Sequence, residues 1–190
     1  VALSDDGRYV TNSRTMRSAL EYAGSLELPV ISHCEDAFLA AGAHMNEGFT
    51  STKLGLRGAP AVSEQIAVAR DLMLAELTGA RLHVAHVSTR GAVELIRAAK
   101  KRGVRVSAEA SPHHLTLDET LLEGYDRSLK VNPPLRTAAD IAALRDALRE
   151  LPDVSRPLLP WALGFQTACA RFPALLALNE PSVDAALARV

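Results

Sequence analysis

Short apolar runs rich in Val, Ile and Leu alternate along this chain with longer stretches in which apolar residues return every three or four positions. The short runs, at 28–32, 81–87, 104–110 and 128–131, predict strands, and the longer stretches predict helices. A first helix runs from Asn12 or Ser13, either of which can cap it, to about 26, with Met16, Leu20 and Ala23 facing inward. A second spans 63–77 after Pro60, with Ile66, Ala69, Leu72, Met73 and Leu77 as its apolar stripe and Gly79 as its stop. In a third, over 93–101, Thr89 is the cap and Leu95, Ile96 and Ala99 face inward, while Lys100, Lys101 and Arg102 suit the negative end of the helix dipole. A fourth runs from a Thr137 cap to about 149. Residues 42–60, rich in Gly and polar side chains, read as a long loop. Strand and helix in alternation argue for βαβ units around a parallel sheet.

The predicted strands end in polar residues suited to chemistry. The run at 28–32 leads into His33-Cys34-Glu35-Asp36, the run at 81–87 carries His83 and His86 and leads into Ser88-Thr89, and the short apolar start Val1-Ala2-Leu3 leads into Ser4-Asp5-Asp6-Gly7. The run at 104–110 leads into Ser111-Pro112-His113-His114, and the run at 128–131 into Asn132-Pro133-Pro134-Leu135-Arg136. Parallel strands deliver functional side chains at their C-terminal ends, and one Asp with two His suits a divalent metal, zinc above all. A single His after a strand is more commonly a hydrogen-bonded residue than a ligand. His83 and His113 fit that plainer role, whereas His33 and His86 sit in a longer pattern.

Composition narrows the class. At 190 residues, with 48% hydrophobic, the chain can bury a real core, yet it is short for a complete eight-stranded α/β barrel of about 250 residues. A net charge of −1 gives no electrostatic reason for a nucleic-acid or membrane-surface partner. Two cysteines far apart, Cys34 and Cys169, without a Cys-x-x-Cys pair or a secretory signal, lead us to expect a reduced, cytoplasmic protein. No apolar stretch reaches the 18 or so residues of a membrane helix. The chain opens without Met and is expected to belong to a longer protein. Three segments are expected: central βα units over 1–150, an irregular Pro-rich connector over 151–160, and a helical part of the same domain over 161–190, with helices near 163–170 and 182–189.

Six segments, in order, resemble the dihydroorotase family of zinc-dependent cyclic amidohydrolases: Ser4-Asp5-Asp6-Gly7, Leu28-Pro29-Val30-Ile31-Ser32-His33-Cys34-Glu35-Asp36, Met45-Asn46-Glu47-Gly48, His83-Val84-Ala85-His86-Val87-Ser88-Thr89, Pro112-His113-His114 and Asn132-Pro133-Pro134-Leu135-Arg136. Each alone is weak; their order carries the resemblance. It implies an α/β fold, part of a (β/α)8 TIM-type barrel whose N-terminal strands and one late strand are absent from this chain. It implies two zinc ions per complete site, with His33 and His86 binding one metal and an aspartate bridging both. Register from His33 places that bridge at Asp6, with Asp5 the fallback. Successive side chains of an extended segment point opposite ways, so only one of the two can serve, and Gly7 leaves room beside Asp6.

Asn132 is implied to contact substrate, its carboxamide both donating and accepting toward a cyclic amide, although a turn residue before two prolines would look the same. The family's His-x-His-x-Arg, Met-Pro-Asn-Thr and Asp-His-Ala-Pro-His segments do not occur, so no catalytic proton shuttle is assigned within this chain. Gly164-Phe165-Gln166-Thr167-Ala168 resembles a later helix start of the family. The implied activity is reversible hydrolysis of L-dihydroorotate to N-carbamoyl-L-aspartate, a step of pyrimidine synthesis, with a small-molecule substrate and a homo-oligomeric protein. Alternatives are another cyclic amidohydrolase, a hydantoinase or an allantoinase, and a non-catalytic dihydroorotase-like subunit supporting aspartate transcarbamoylase.

Overall fold

The structure, a computed structural model, describes residues 2–6 and 8–150. Gly7, Cys169, the connector expected at 151–160 and the helices expected near 163–170 and 182–189 lie outside the described residues. Val1–Arg145 forms one compact unit, to which all four candidate site residues belong.

Four strands build a parallel sheet: β1 (Leu3–Ser4), β2 (Val30–Ser32), β3 (Leu82–Val84) and β4 (Val106–Ala108), side by side in that order. Leu3, Val30, Leu82 and Val106 lie in register, and so do Ser4, Ile31, His83 and Ser107. Each strand is shorter than its apolar run; past β3 the run's last residues, Ala85 to Val87, leave the strand and carry His86. Val30, Ser32, Leu82 and Val84 are buried beneath the helices, as a sheet covered on that face requires.

Three helices make the covering layer: α1 (Ser13–Ser25), α2 (Val62–Thr78) and α3 (Arg90–Lys101), with α2 packed between the other two. Asn12 caps α1 by accepting the N–H groups of Arg14 and Thr15, and Thr89 caps α3 through the N–H of Ala92. Gly79 ends α2 in the left-handed region at φ 64°, where only glycine sits without strain. Met16, Leu20, Ala23, Val68, Leu72, Ala75, Ile96 and Ala99 form the core between helices and sheet.

The stripe expected on the second helix is corrected by the structure. Ile66, Met73 and Leu77 are exposed, and α2 turns Glu64, Ala67, Val68, Asp71, Leu72 and Ala75 inward. Small alanines bring the helix close to its neighbours, and the two buried carboxylates are saturated by hydrogen bonds, which makes their burial tolerable.

Two further expectations are corrected. The region 42–60 is not a plain loop. It holds the four-residue helix Ala37–Ala40 at its approach, a two-stranded parallel ribbon of Met45–Asn46 and Gly58–Ala59, and a six-residue helix, Phe49–Leu54. These pieces are too short to show a period. Gly58 is required there, since a Cβ would stand 2.3 Å from the Cα of Glu47. The run at 128–131 is no strand: Asp126 accepts the N–H of Ser128 and nucleates a 3-10 turn over Arg127–Leu129. The last described helix, α4 (Ala138–Glu150), starts where Thr137 and Asp140 exchange side-chain and backbone hydrogen bonds. Among the described residues no helix is long and apolar enough to cross a membrane.

Candidate metal centre

Neighbouring parallel strands deliver their next residues to one spot. Past β1 the ladder continues with the Asp5 N–H bonded to the Ile31 carbonyl, and past β3 the Ala85 N–H bonds to the Ser32 carbonyl. His33, Asp6 and His86 follow directly. His86 sits at φ 37°, a left-handed conformation rare for a side-chain-bearing residue, which turns its ring toward His33. The Nδ1 of His33 is 3.1 Å from Nε2 of His86 and 3.6 Å from Oδ1 of Asp6, and that oxygen is 3.8 Å from His86 Nε2. One ligand atom from each residue lies within 4.8 Å of the others. Two imidazole nitrogens and a carboxylate oxygen turned to one point suit a divalent cation.

The electrostatics favour neutral, ligating imidazole at His86, whose pKa is lowered by burial and then by the facing His33, against the weaker opposing pull of Asp6, Glu109 and Glu64. His33 is itself buried.

Asp5 and Asp6 diverge. Asp5 accepts the backbone N–H of His33 and of Val10, both at 2.8 Å, and so ties the ends of two strands together. Asp6 faces the histidine pair.

Asn132 stands beside the same cluster, its amide nitrogen donating to Glu35 at 2.8 Å and lying 3.3 Å from His33 Nε2. His114 is buried and donates from Nε2 to the Pro133 carbonyl at 2.9 Å, supporting the Asn132 segment from behind. Burial, reinforced by adjacent His113, pushes the pKa of His114 down to about 3. His83 lies in the sheet, with Nδ1 2.8 Å from the Ser107 hydroxyl, and is not part of the cluster.

Two features escape sequence reasoning. The first is Glu35, which accepts from the Tyr9 hydroxyl at 2.6 Å and lies 3.1 Å from His33 Nε2. Burial opposes its ionisation, but the hydrogen bonds of His33, Tyr9 and Asn132 prevail and hold its pKa at about 2. Spacing contained a signal: in extended chain, residues two apart share a side, so Glu35 follows His33. Nothing marked Tyr9.

The second is a buried network around Arg136. Its Nη1 donates to Asn46 Oδ1 at 2.7 Å and to the Ala59 carbonyl at 2.9 Å, and its Nε to the Ser88 hydroxyl at 3.1 Å. Its Nη2 is 3.9 Å from Glu64, which also accepts the N–H groups of Ser88 and Thr89. Glu119 closes the network through Asn46 and Thr50.

A parallel α/β layer that gathers an aspartate and two histidines at its strand ends offers a candidate divalent-metal site where parallel α/β enzymes carry their chemistry. Residues 1–92 match the family model described as Dihydro-orotase-like. Among curated relatives, a dihydroorotase of Pelotomaculum thermopropionicum is 60% identical over 150 residues, 79% of this chain and 35% of that protein. One of Syntrophotalea carbinolica is 59% identical with the same shares. Among solved structures, a D-hydantoinase (dihydropyrimidinase) from Thermus sp. matches with a TM-score of 0.64 at 28% identity, over 79% of this chain and 34% of that one. The chain belongs to the dihydroorotase-like family. It spans about a third of the length of the curated relatives it matches.

Proposed function

We propose that this chain is the metal-binding central part of a dihydroorotase, interconverting L-dihydroorotate and N-carbamoyl-L-aspartate. The observation that carries the reading is the meeting of Asp6, His33 and His86 at one point, in a chain 60% identical over 150 residues to a curated dihydroorotase. The open parallel sheet with helices on one face supports the finer fold reading, a segment of a (β/α)8 barrel with its mouth at the strand ends. A homo-oligomeric state and a cytoplasmic location belong to the same proposal; association with aspartate transcarbamoylase belongs to the alternative of a non-catalytic subunit.

Asp6, His33 and His86 would hold zinc, two ions being expected in a complete site. Bound zinc lowers the pKa of a coordinated water and polarises the amide carbonyl to be attacked. The chain's own residues prepare that chemistry. Asp5 sets the position of His33 through its backbone N–H. Asn132, its nitrogen engaged by Glu35, has its carboxamide oxygen to accept an N–H of a cyclic amide.

The likeness to D-hydantoinase favours one second reading, a related cyclic amidohydrolase of hydantoin type. Both readings are separated by the protein expressed from its complete reading frame. Ring opening of dihydroorotate, with zinc retained by the wild type and depleted in His33→Ala and His86→Ala, is the expected result. Turnover of hydantoin with none of dihydroorotate, or unchanged zinc in both variants, would overturn the assignment.

A further inference from the structure

We propose that Glu35 is the positioning residue that fixes which nitrogen His33 presents to the metal, an inference that rests on the metal centre proposed above. An ionised carboxylate only accepts hydrogen bonds, so Glu35 Oε2, 3.1 Å from His33 Nε2, favours a proton on that nitrogen, while the Asn132 amide nitrogen, 3.3 Å from the same Nε2, donates to Glu35 Oε2 at the shorter 2.8 Å. The lone pair is then on Nδ1. That is the atom 3.1 Å from His86 Nε2 and 3.6 Å from Asp6 Oδ1. His86 presents the opposite nitrogen, its Nδ1 being buried without a hydrogen-bond partner among the described residues.

Glu35 is itself fixed. Oε1 accepts from the Tyr9 hydroxyl at 2.6 Å and Oε2 from the Asn132 amide at 2.8 Å. The Tyr9 ring stacks on the His33 imidazole, with centroids 5.0 Å apart and planes 19° from parallel. His33 is thereby held at its backbone by Asp5, at its face by Tyr9 and at its far nitrogen by Glu35. The chain reaches this arrangement through local geometry: His33 and Glu35, two apart in an extended segment, share a side, while Cys34 turns into the core against Ser32 and Asp71. Carboxylates behind ligating histidines set tautomer and ring orientation, and losing one typically weakens metal affinity by about 10- to 100-fold.

The test uses the full-length protein, stripped of metal and titrated with zinc against a competing chelator. A companion set with 15N-labelled histidine reads the protonated nitrogen of His33 in the metal-free state. Glu35→Ala is expected to weaken zinc binding at this site about 10- to 100-fold and to shift His33 from the Nε2–H form toward a mixture. Glu35→Gln, whose amide oxygen can still accept that proton, is expected to fall between Ala and wild type in both readouts. Unfolding midpoints of both variants serve to exclude a general loss of structure. If Glu35→Ala binds zinc as tightly as wild type while His33→Ala loses it, the inference fails and the metal centre stands. If His33→Ala also binds like wild type, the metal centre itself fails.

Discussion

Replacing Arg136 by Met removes the hub of the buried network while keeping most of the side chain's volume. The lost interactions are three hydrogen bonds from a charged donor, to Asn46, Ala59 and Ser88, and the ion pair with Glu64 at 3.9 Å. At an effective dielectric constant of 20 the pair alone is worth about 4 kcal/mol of Coulomb attraction. Most of that is offset by the desolvation of the guanidinium, whose pKa burial lowers against the pull of Glu64, Asp140, Glu35 and Glu119. Glu64 is left with the Ser88 and Thr89 donors, so it is not stranded. Asn46 Oδ1 loses its partner outright, at about 1–3 kcal/mol for a buried group left unsatisfied, whereas the Ala59 carbonyl keeps the Glu47 N–H at 3.0 Å. The net expectation is a loss of about 1–3 kcal/mol, a large share of the roughly 5–15 kcal/mol that holds a domain together. Urea unfolding of wild type, R136M, E64Q and the double variant measures it, and the cycle is expected to return a coupling of about 1–3 kcal/mol. A loss under about 1 kcal/mol in R136M, or a coupling near zero, would refute the view that this network ties the strand-end segments together.

The two aspartates are expected to separate by readout. Asp6→Asn should cut zinc retention and turnover of the full-length protein with little change in unfolding midpoint, whereas Asp5→Ala, which strips acceptors from the His33 and Val10 N–H groups, should destabilise by about 1–3 kcal/mol; equal midpoints would contradict this division. His114, neutral in the fold down to about pH 3 but titrating near 6.5 when unfolded, makes the unfolded chain bind more protons in that window, so stability falls as pH drops from 6.5 toward 3. His114→Gln keeps a donor for the Pro133 carbonyl and is expected to flatten this pH dependence; an unchanged slope in unfolding free energy would count against it. Gly58→Ala is expected to destabilise by about 1–3 kcal/mol, because the added methyl meets the Glu47 backbone rather than a movable side chain; a neutral result in the same assay would contradict the close approach.

What the chain discloses by its pattern is local. The helices at 13–25 and 90–101 were legible because Asn12 and Thr89 cap them through residues two or three positions on, and the strand-end histidines because each closes a β-branched run. What stayed hidden is long-range. Glu64 and Asp71 look like solvent-facing residues of an amphipathic helix until partners 24 to 39 residues away, Ser88, Thr89 and Ser32, are brought to them. The buried face of that helix therefore carries two carboxylates among Ala67, Val68, Leu72 and Ala75, while Ile66, Met73 and Leu77 point outward.

The same distance effect changes what the family-like segments do. Asn46, Ser88 and Arg136, taken from three separate signatures, meet in one buried network, and Glu119 joins Asn46 across 73 residues of sequence. Among the described residues none of these four hydrogen-bonds to a member of the Asp6, His33 and His86 cluster. They act on it indirectly: Arg136 and His114 anchor the two ends of the segment 132–136, and that segment presents Asn132 to Glu35 and His33. A polar residue within a recurring motif is thus as readily a strut as a reagent. A strut such as Arg136 has its hydrogen bonds met within the protein, whereas Asp6 is exposed and turned toward two imidazoles, which is what the proposed metal centre requires of it.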